Sequence, residues 1–178
     1  MTNIMVERLL EMDVEKVAQI ASENFSGLKD YKNALEWLTC NFKAFPRMQY
    51  YVAISERENI SVFNEYDIVS RCEIVGYILW MEKGGFRKES IWELEQIAIK
   101  KGFQGRGIGS ILIRESLEKI KKYLKGRGSS LKIIEVTTGA ENLAQNLYEK
   151  TLGANVECGI QDLFRGDEVI MIARFNKS

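Results

Sequence analysis

The chain has 178 residues, of which 46% are hydrophobic, and its 25 Lys and Arg balance 25 Asp and Glu to a formal net charge of zero. That length and apolar content suit one compact domain over residues 1–178 with a sizeable core, and the cancelled charge, with no dense basic stretch interleaved with aromatics, argues against nucleic acid as a partner beyond a local basic patch. With 0 histidines, Ser-His-Asp and Cys-His mechanisms are excluded, the commonest metal ligand is missing, and any proton transfer must use Glu, Asp, Tyr, Lys, Cys or water.

No apolar run approaches the roughly 20 residues that span a bilayer, and no basic-then-apolar leader opens the chain, so a cytoplasmic protein with no membrane partner is expected. Cys40, Cys72 and Cys158 are odd in number and far apart. They read as reduced and structural, with neither a disulfide framework nor a metal site.

In chain order, Ile4 to Arg8 reads as a short strand, and Asp13 as the cap of a helix with Val14, Val17, Ala18 and Phe25 on its apolar side. After a break at Gly27, Tyr31 to Phe45 reads as a second helix ending before Pro46, the only proline. Tyr50 to Ser55 and Glu73 to Met81 read as strands. The polar stretch from Glu56 to Cys72 between them reads as a loop or hairpin tip suited to acceptor recognition, or as a plain insertion.

Trp92 to Ile99 is expected as a central strand with Glu93 and Glu95 on one face. A long amphipathic helix begins at Ile111, buries Ile113, Leu117, Ile120 and Leu124, and ends at Gly126 as a C-cap. Leu131 to Val136 reads as a strand, 141 to 151 as a helix, and 154 to 175 as a hairpin turning near Arg165-Gly166-Asp167. The order βααβββαβαββ implies an α/β domain with a mixed central sheet of about seven strands and about four flanking helices, not a doubly wound parallel sheet.

Between strand and long helix lies Gln104-Gly105-Arg106-Gly107-Ile108-Gly109-Ser110. Glycines there let the backbone turn with its N–H groups exposed, and the helix N-terminus adds partial positive charge, so the segment makes a cradle for a pyrophosphate. A dinucleotide fingerprint counted from Gly105 meets Ser110 at its third glycine, and one counted from Gly107 meets Leu112. The Gly-Lys-Ser/Thr of a triphosphate loop does not occur in the segment.

Gln104, Gly107 and Gly109 form Gln-x-x-Gly-x-Gly, which resembles the acetyl-CoA loop of the GCN5-related N-acetyltransferases, the GNAT family. Glu141 to Lys150, followed by Leu152-Gly153-Ala154, is similar to that family's second conserved block. The resemblance covers about the last half of the chain and implies the single-domain GNAT fold. It implies an N-acetyltransferase moving an acetyl group from acetyl-CoA to a primary amine by direct transfer in a ternary complex. The acceptor is a protein N-terminal amine or a small molecule. A homodimer is one option, since relatives often dimerise, although nothing specifies an interface. The alternative is a non-catalytic acetyl-CoA sensor or scaffold of the same fold.

On that resemblance, backbone groups at Ile97, Ala98 and Ile99 would meet the pantetheine arm, and Gln104, Gly105, Arg106, Gly107, Ile108, Gly109 and Ser110 would hold the pyrophosphate. Tyr148 falls at the family's tyrosine, where a phenol protonates the departing thiolate; its spacing with Ala144 and Leu147 also fits plain core packing. Leu131 to Val136 resembles the strand carrying a catalytic glutamate in the ribosomal-protein N-terminal acetyltransferase subgroup, which makes Glu135 the leading base, with Glu93 and Glu95 behind it. One departure is visible: Glu141 stands where the family has its pantetheine-binding asparagine, with Asn142 one residue later; a one-residue shift at the helix start would make Asn142 the cofactor-binding residue. No cysteine falls in either motif, which argues against an acetyl-cysteine route.

Overall fold

The computed structural model describes residues 3–56, 72–164 and 166–175. Its elements are β1 (Ile4–Arg8), α1 (Val14–Asn24), α2 (Tyr31–Lys43), β2 (Met48–Glu56), β3 (Cys72–Lys83), β4 (Glu89–Ile99), α3 (Ile108–Gly126), β5 (Ser130–Gly139), α4 (Gln145–Leu152), β6 (Asn155–Ile160) and β7 (Glu168–Arg174). This is the expected βααβββαβαββ order. The strands form one mixed 7-stranded sheet in the order β1-β2-β3-β4-β5-β7-β6, with β4 and β5 parallel and the pairs β1–β2, β5–β7 and β6–β7 antiparallel. By its internal contacts the chain forms two compact units, Met1–Ile78 with Ile97–Leu112, and Leu79–Gln96 with Ile113–Ser178.

In the first unit, α1 buries Val14, Val17, Ala18, Ile20 and Ala21, the stripe that a 3.6-residue period requires. Asp13 precedes it without capping a backbone N–H; its carboxylate takes Lys16 Nζ at 2.7 Å instead. At the head of α2 the cap is Asp30, which accepts from Asn33 N at 2.9 Å. Gly76 of β3 lies where a Cβ would come within 2.5 Å of Ile99 Cδ1 and 2.9 Å of Ala98 O, so only glycine lets β3 approach the end of β4 this closely.

The second unit is built around the body of α3, where Ile113, Leu117, Ile120 and Leu124 are buried as their spacing demands. Ser116, also buried, accepts from Trp80 Nε1 at 2.9 Å. The C-terminus of α3 differs from expectation: the glycine in the left-handed region is Gly128, at φ +73°, and Ser129 N closes the turn on Leu124 O at 2.8 Å. Gly126 is the helix's last residue.

Two further boundaries moved. Helix α3 starts at Ile108, three positions before Ile111, because the glycine segment flows into helical geometry. Helix α4 starts at Gln145, since Asn142 Oδ1 accepts from Ala144 N at 3.0 Å and replaces the first turn of the expected 141–151 helix. The three cysteines are free and exposed, so the structural role read for them is not met. Most of the Glu56–Cys72 loop, residues 57–71, lies outside the described residues, as does Arg165 of the expected hairpin turn.

Candidate active site

The first unit holds the cradle. Gly105 and Gly107 have φ of +74° and +78°, the left-handed region that favours glycine, and they turn the chain directly into α3. Among the described residues, no backbone carbonyl accepts from the N–H groups of residues 105–110. The first helical N–H groups never have intrahelical partners, so the segment offers a row of unused donors at the positive end of a 19-residue helix. A pyrophosphate fits that donor set without cationic side chains. The individual residues divide the work: Ile108 is buried at 3% exposure, so only its backbone faces a ligand, while Arg106 is exposed, its guanidinium 5.3 Å from the Phe103 ring centroid.

Gln104 does not reach into the cradle. Its Nε2 donates to Ile99 O at 2.9 Å and to Asn24 Oδ1 at 3.1 Å, which ties the start of the loop to the end of β4 and to α1. Ala98 is buried, and Ile97 and Ile99 are half-buried, leaving backbone as the useful part of this strand end.

The second unit holds the ionisable groups. The β4–β5 ladder runs from Glu89↔Ser130 to Glu93↔Glu135, and Leu94–Gln96 form no further pair with Val136–Gly139. The two carboxylates therefore stand opposite one another at the last rung before the strands part. Lys83, at the end of β3, joins them: its Nζ lies 2.7 Å from Glu135 Oε1 and 3.2 Å from Glu93 Oε2. Burial alone would push the Lys83 ammonium down, but the hydrogen bonds and charges of Glu135 and Glu93 outweigh it and hold the amine above its ordinary range. Thr137 Oγ1 reaches Glu93 Oε1 at 3.5 Å. Glu135 Oε2 accepts no hydrogen bond among the described residues, and Glu95, on β4 with Glu93, is half-buried.

Tyr148 is 6% exposed, and burial pushes its phenol up to about 12. Among the described residues the phenol makes no hydrogen bond, so the side chain is neither tied down nor ionised at neutral pH. Asn142 uses both ends of its amide within its own turn, Nδ2 on Thr138 Oγ1 at 2.9 Å and Oδ1 on Ala144 N. Gly153, at φ +67°, ends α4, and Ala154 N returns to Tyr148 O at 3.4 Å.

Sequence reasoning missed Lys83, because the expected strand stopped at Met81, and it missed Gly76, whose importance lies in what approaches it. It also missed the polar support beside Lys83. Glu82 is 1% exposed, takes both Nη atoms of Arg127 at 2.5 and 2.8 Å, and accepts from Ser90 Oγ at 2.5 Å; Ser90 in turn accepts from Trp92 Nε1. Neighbouring residues of β3 thus hold two separate ion-pair clusters. Among the described residues no group of three or more Cys, Asp or Glu is placed to hold a metal ion.

The sequence profile of the acetyltransferase (GNAT) family matches residues 14–154. No curated protein matches the sequence. Among solved structures, NAA60 of Arabidopsis thaliana in complex with a bisubstrate analogue superposes with a TM-score of 0.68 at 12% identity, covering 98% of this chain and 100% of that one. A chain of the NatC complex bound to Gag peptide and CoA gives 0.66 at 17% identity, over 98% and 99%. The spermidine/spermine N-acetyltransferase SpeG of Vibrio cholerae gives 0.65 at 18% identity, over 95% and 91%. At these identities the likeness shows the fold, and the profile match over most of the chain shows the family: this protein belongs to the GNAT acetyltransferases.

Proposed function

We propose that the protein transfers an acetyl group from acetyl-CoA directly to a primary amine, with a protein or peptide α-amine as the acceptor class. The observation that carries the reading is the row of unused N–H donors over residues 105–110 at the head of α3. Acetyl-CoA supplies an acyl carbonyl activated by a thiol leaving group. The acceptor nitrogen's lone pair forms the C–N bond, the C–S bond breaks with its pair on sulfur, and the proton lost by nitrogen goes to Glu135 Oε2, directly or through water.

Tyr148 supports the leaving sulfur by donating a hydrogen bond. A thiol has an ordinary pKa of about 8.5, so moving the proton fully from a phenol at about 12 would be uphill by roughly 5 kcal/mol. The phenol therefore keeps its proton, and sulfur takes its own from solvent.

The acceptor nitrogen must be neutral to attack, so the acceptor that needs least deprotonation is favoured. At pH 7 roughly 14% of an α-amine with pKa near 7.8 is neutral, against roughly 0.04% of an alkylamine with pKa near 10.4. One similar structure holds a peptide and another is a polyamine acetyltransferase, so both chemistries have precedent in the fold. The acid–base balance favours the first.

The alternative of a non-catalytic acetyl-CoA module draws on one observation, the internal use of the Asn142 amide. Thiol release from acetyl-CoA across α-amine peptides, Nα-blocked lysine peptides, spermidine and aminoglycosides tests both. Release with α-amine peptides at ten-fold or greater preference is expected. Acetyl-CoA binding without release from any acceptor would overturn the enzyme reading.

A further inference from the structure

A separate cleft of about 1130 Å³ opens in the second unit, where the starts of β4 and β5 lie near the C-terminal turns of α3. Its lining includes Arg87, Lys88, Lys121, Lys125 and Lys132, together with Phe175. Glu89 is the single carboxylate in the lining, and it stands 3.8 Å from Lys132 Nζ. Glu118 takes Lys121 at 2.7 Å from outside it. Lys88 and Lys125 have no ion-pair partner among the described residues. In a chain of zero net charge this is a local excess of cations, contributed by the turn between β3 and β4, the end of α3 and the start of β5.

Helix chemistry accounts for only part of it. Lys125, in the last turn of α3, complements the helix dipole. Arg87 and Lys88, on the turn between β3 and β4, and Lys132, on β5, have no such reason to gather there. Aromatic rings accompany the charge: Phe175 lies in the lining with Lys121 Nζ 5.5 Å from its centroid, and Phe86, 63% exposed, directly precedes Arg87 and Lys88. Cations that track a phosphate chain beside faces that stack bases are what a single strand requires.

We propose that this cleft binds single-stranded nucleic acid, the phosphates lying along the Arg87, Lys88, Lys125 and Lys132 side chains and a base stacking on Phe175. Against the linear sequence, which shows no dense basic stretch, the fold assembles the patch. An acidic peptide would satisfy the charges without stacking on an aromatic face. A duplex would present a convex surface to a concave site.

Fluorescence anisotropy of the full chain with a labelled oligo(U) 12-mer tests the assignment. With about four phosphates neutralised, the slope of log K against log salt is about −0.7 per phosphate, so Kd rises roughly 50-fold between about 50 and 200 mM salt. The double variant K88Q/K125Q should lose about half of that slope and bind at least ten-fold more weakly at 100 mM salt, with acetyl-CoA binding unchanged as the control for folding. Phe175→Leu should weaken oligo(U) at least five-fold while leaving inorganic polyphosphate untouched. The proposal is overturned by no oligo(U) binding at the lowest salt, by equal binding in K88Q/K125Q, or by polyphosphate or poly-glutamate matching oligo(U) with Phe175→Leu silent.

Discussion

Lys83 Nζ lies 2.7 Å from Glu135 Oε1, so the carboxylate proposed to take the acceptor's proton is already bound to an ammonium from the neighbouring region of β3. The same ammonium reaches Glu93, which faces Glu135 in register. One cation thus stands between two carboxylates on adjacent strands.

Replacing that cation tests its role. In Lys83→Met the two carboxylates lose the ammonium between them and repel, so kcat should fall by about ten-fold at fixed pH if this geometry positions the base. Because the Lys83 pKa is raised above its ordinary 10.5, the ion pair's contribution to stability is fully present below that value and is lost as pH rises past it through the higher folded value. Wild type and Lys83→Met should differ by about 0.5–1 kcal/mol at pH 7, a small figure because the side chain is 36% exposed and screened. The two should converge as pH rises past the Lys83 range, as read by urea midpoints. A pH-independent difference would assign the loss to packing instead.

Tyr148→Phe separates chemistry from packing. The ring stays, and the hydroxyl lost has no hydrogen-bond partner among the described residues, so stability should change by less than about 0.5 kcal/mol. If the phenol supports the leaving sulfur, kcat should fall about 100-fold with the KM for acetyl-CoA within three-fold. With the phenol near 12, wild-type activity should show no alkaline loss from this group below about pH 11. Wild-type kcat in the variant would reduce Tyr148 to a core aromatic.

How much of this was legible in the chain depends on how local each feature is. The glycine-rich turn, the buried stripe of α3 and the element order are written in contiguous residues and their period, and the turn, the stripe and the order lie where the sequence puts them, although α3 begins three residues early. Lys83 and Glu135 are 52 positions apart and meet only because β3, β4 and β5 are neighbours, so no window of sequence contains the pair. The start of α4 was misplaced because Asn142 prefers a local side-chain turn to a helical one, a competition that periodicity does not register.

Gly76 gives the sharpest steric prediction. A methyl group there would sit 2.5 Å from Ile99 Cδ1 and 2.9 Å from a backbone oxygen, and the oxygen cannot swing aside as a side chain can. Gly76→Ala should cost about 1–3 kcal/mol and displace the end of β4, to which Gln104 anchors the cradle. Acetyl-CoA should then raise the melting temperature less in the variant than in wild type. Gly27→Ala, where an added Cβ meets nothing within 4 Å, is the neutral control.

The Glu82–Arg127 pair should show an asymmetry that follows from burial. Glu82 is 1% exposed, whereas the Arg127 side chain keeps 21% of its surface in contact with solvent. Its guanidinium is held above its ordinary range chiefly by the hydrogen bonds to Glu82. Glu82→Gln leaves a cation that can still reach water and retains hydrogen bonds from Ser90 and Arg127, so it should cost about 2 kcal/mol. Arg127→Met leaves a buried carboxylate with only the Ser90 hydroxyl as a partner, and it should cost about 3–5 kcal/mol at pH 8. Burial penalises a carboxylate left without its cation, so acid should relieve the Arg127→Met loss. Denaturation midpoints of Arg127→Met should therefore rise from pH 8 to pH 5 relative to wild type, while Glu82→Gln should show no such trend. Parallel pH profiles for the two variants would mean that water reaches Glu82 once Arg127 is gone, and that the cluster is held by hydrogen bonding more than by its opposed charges.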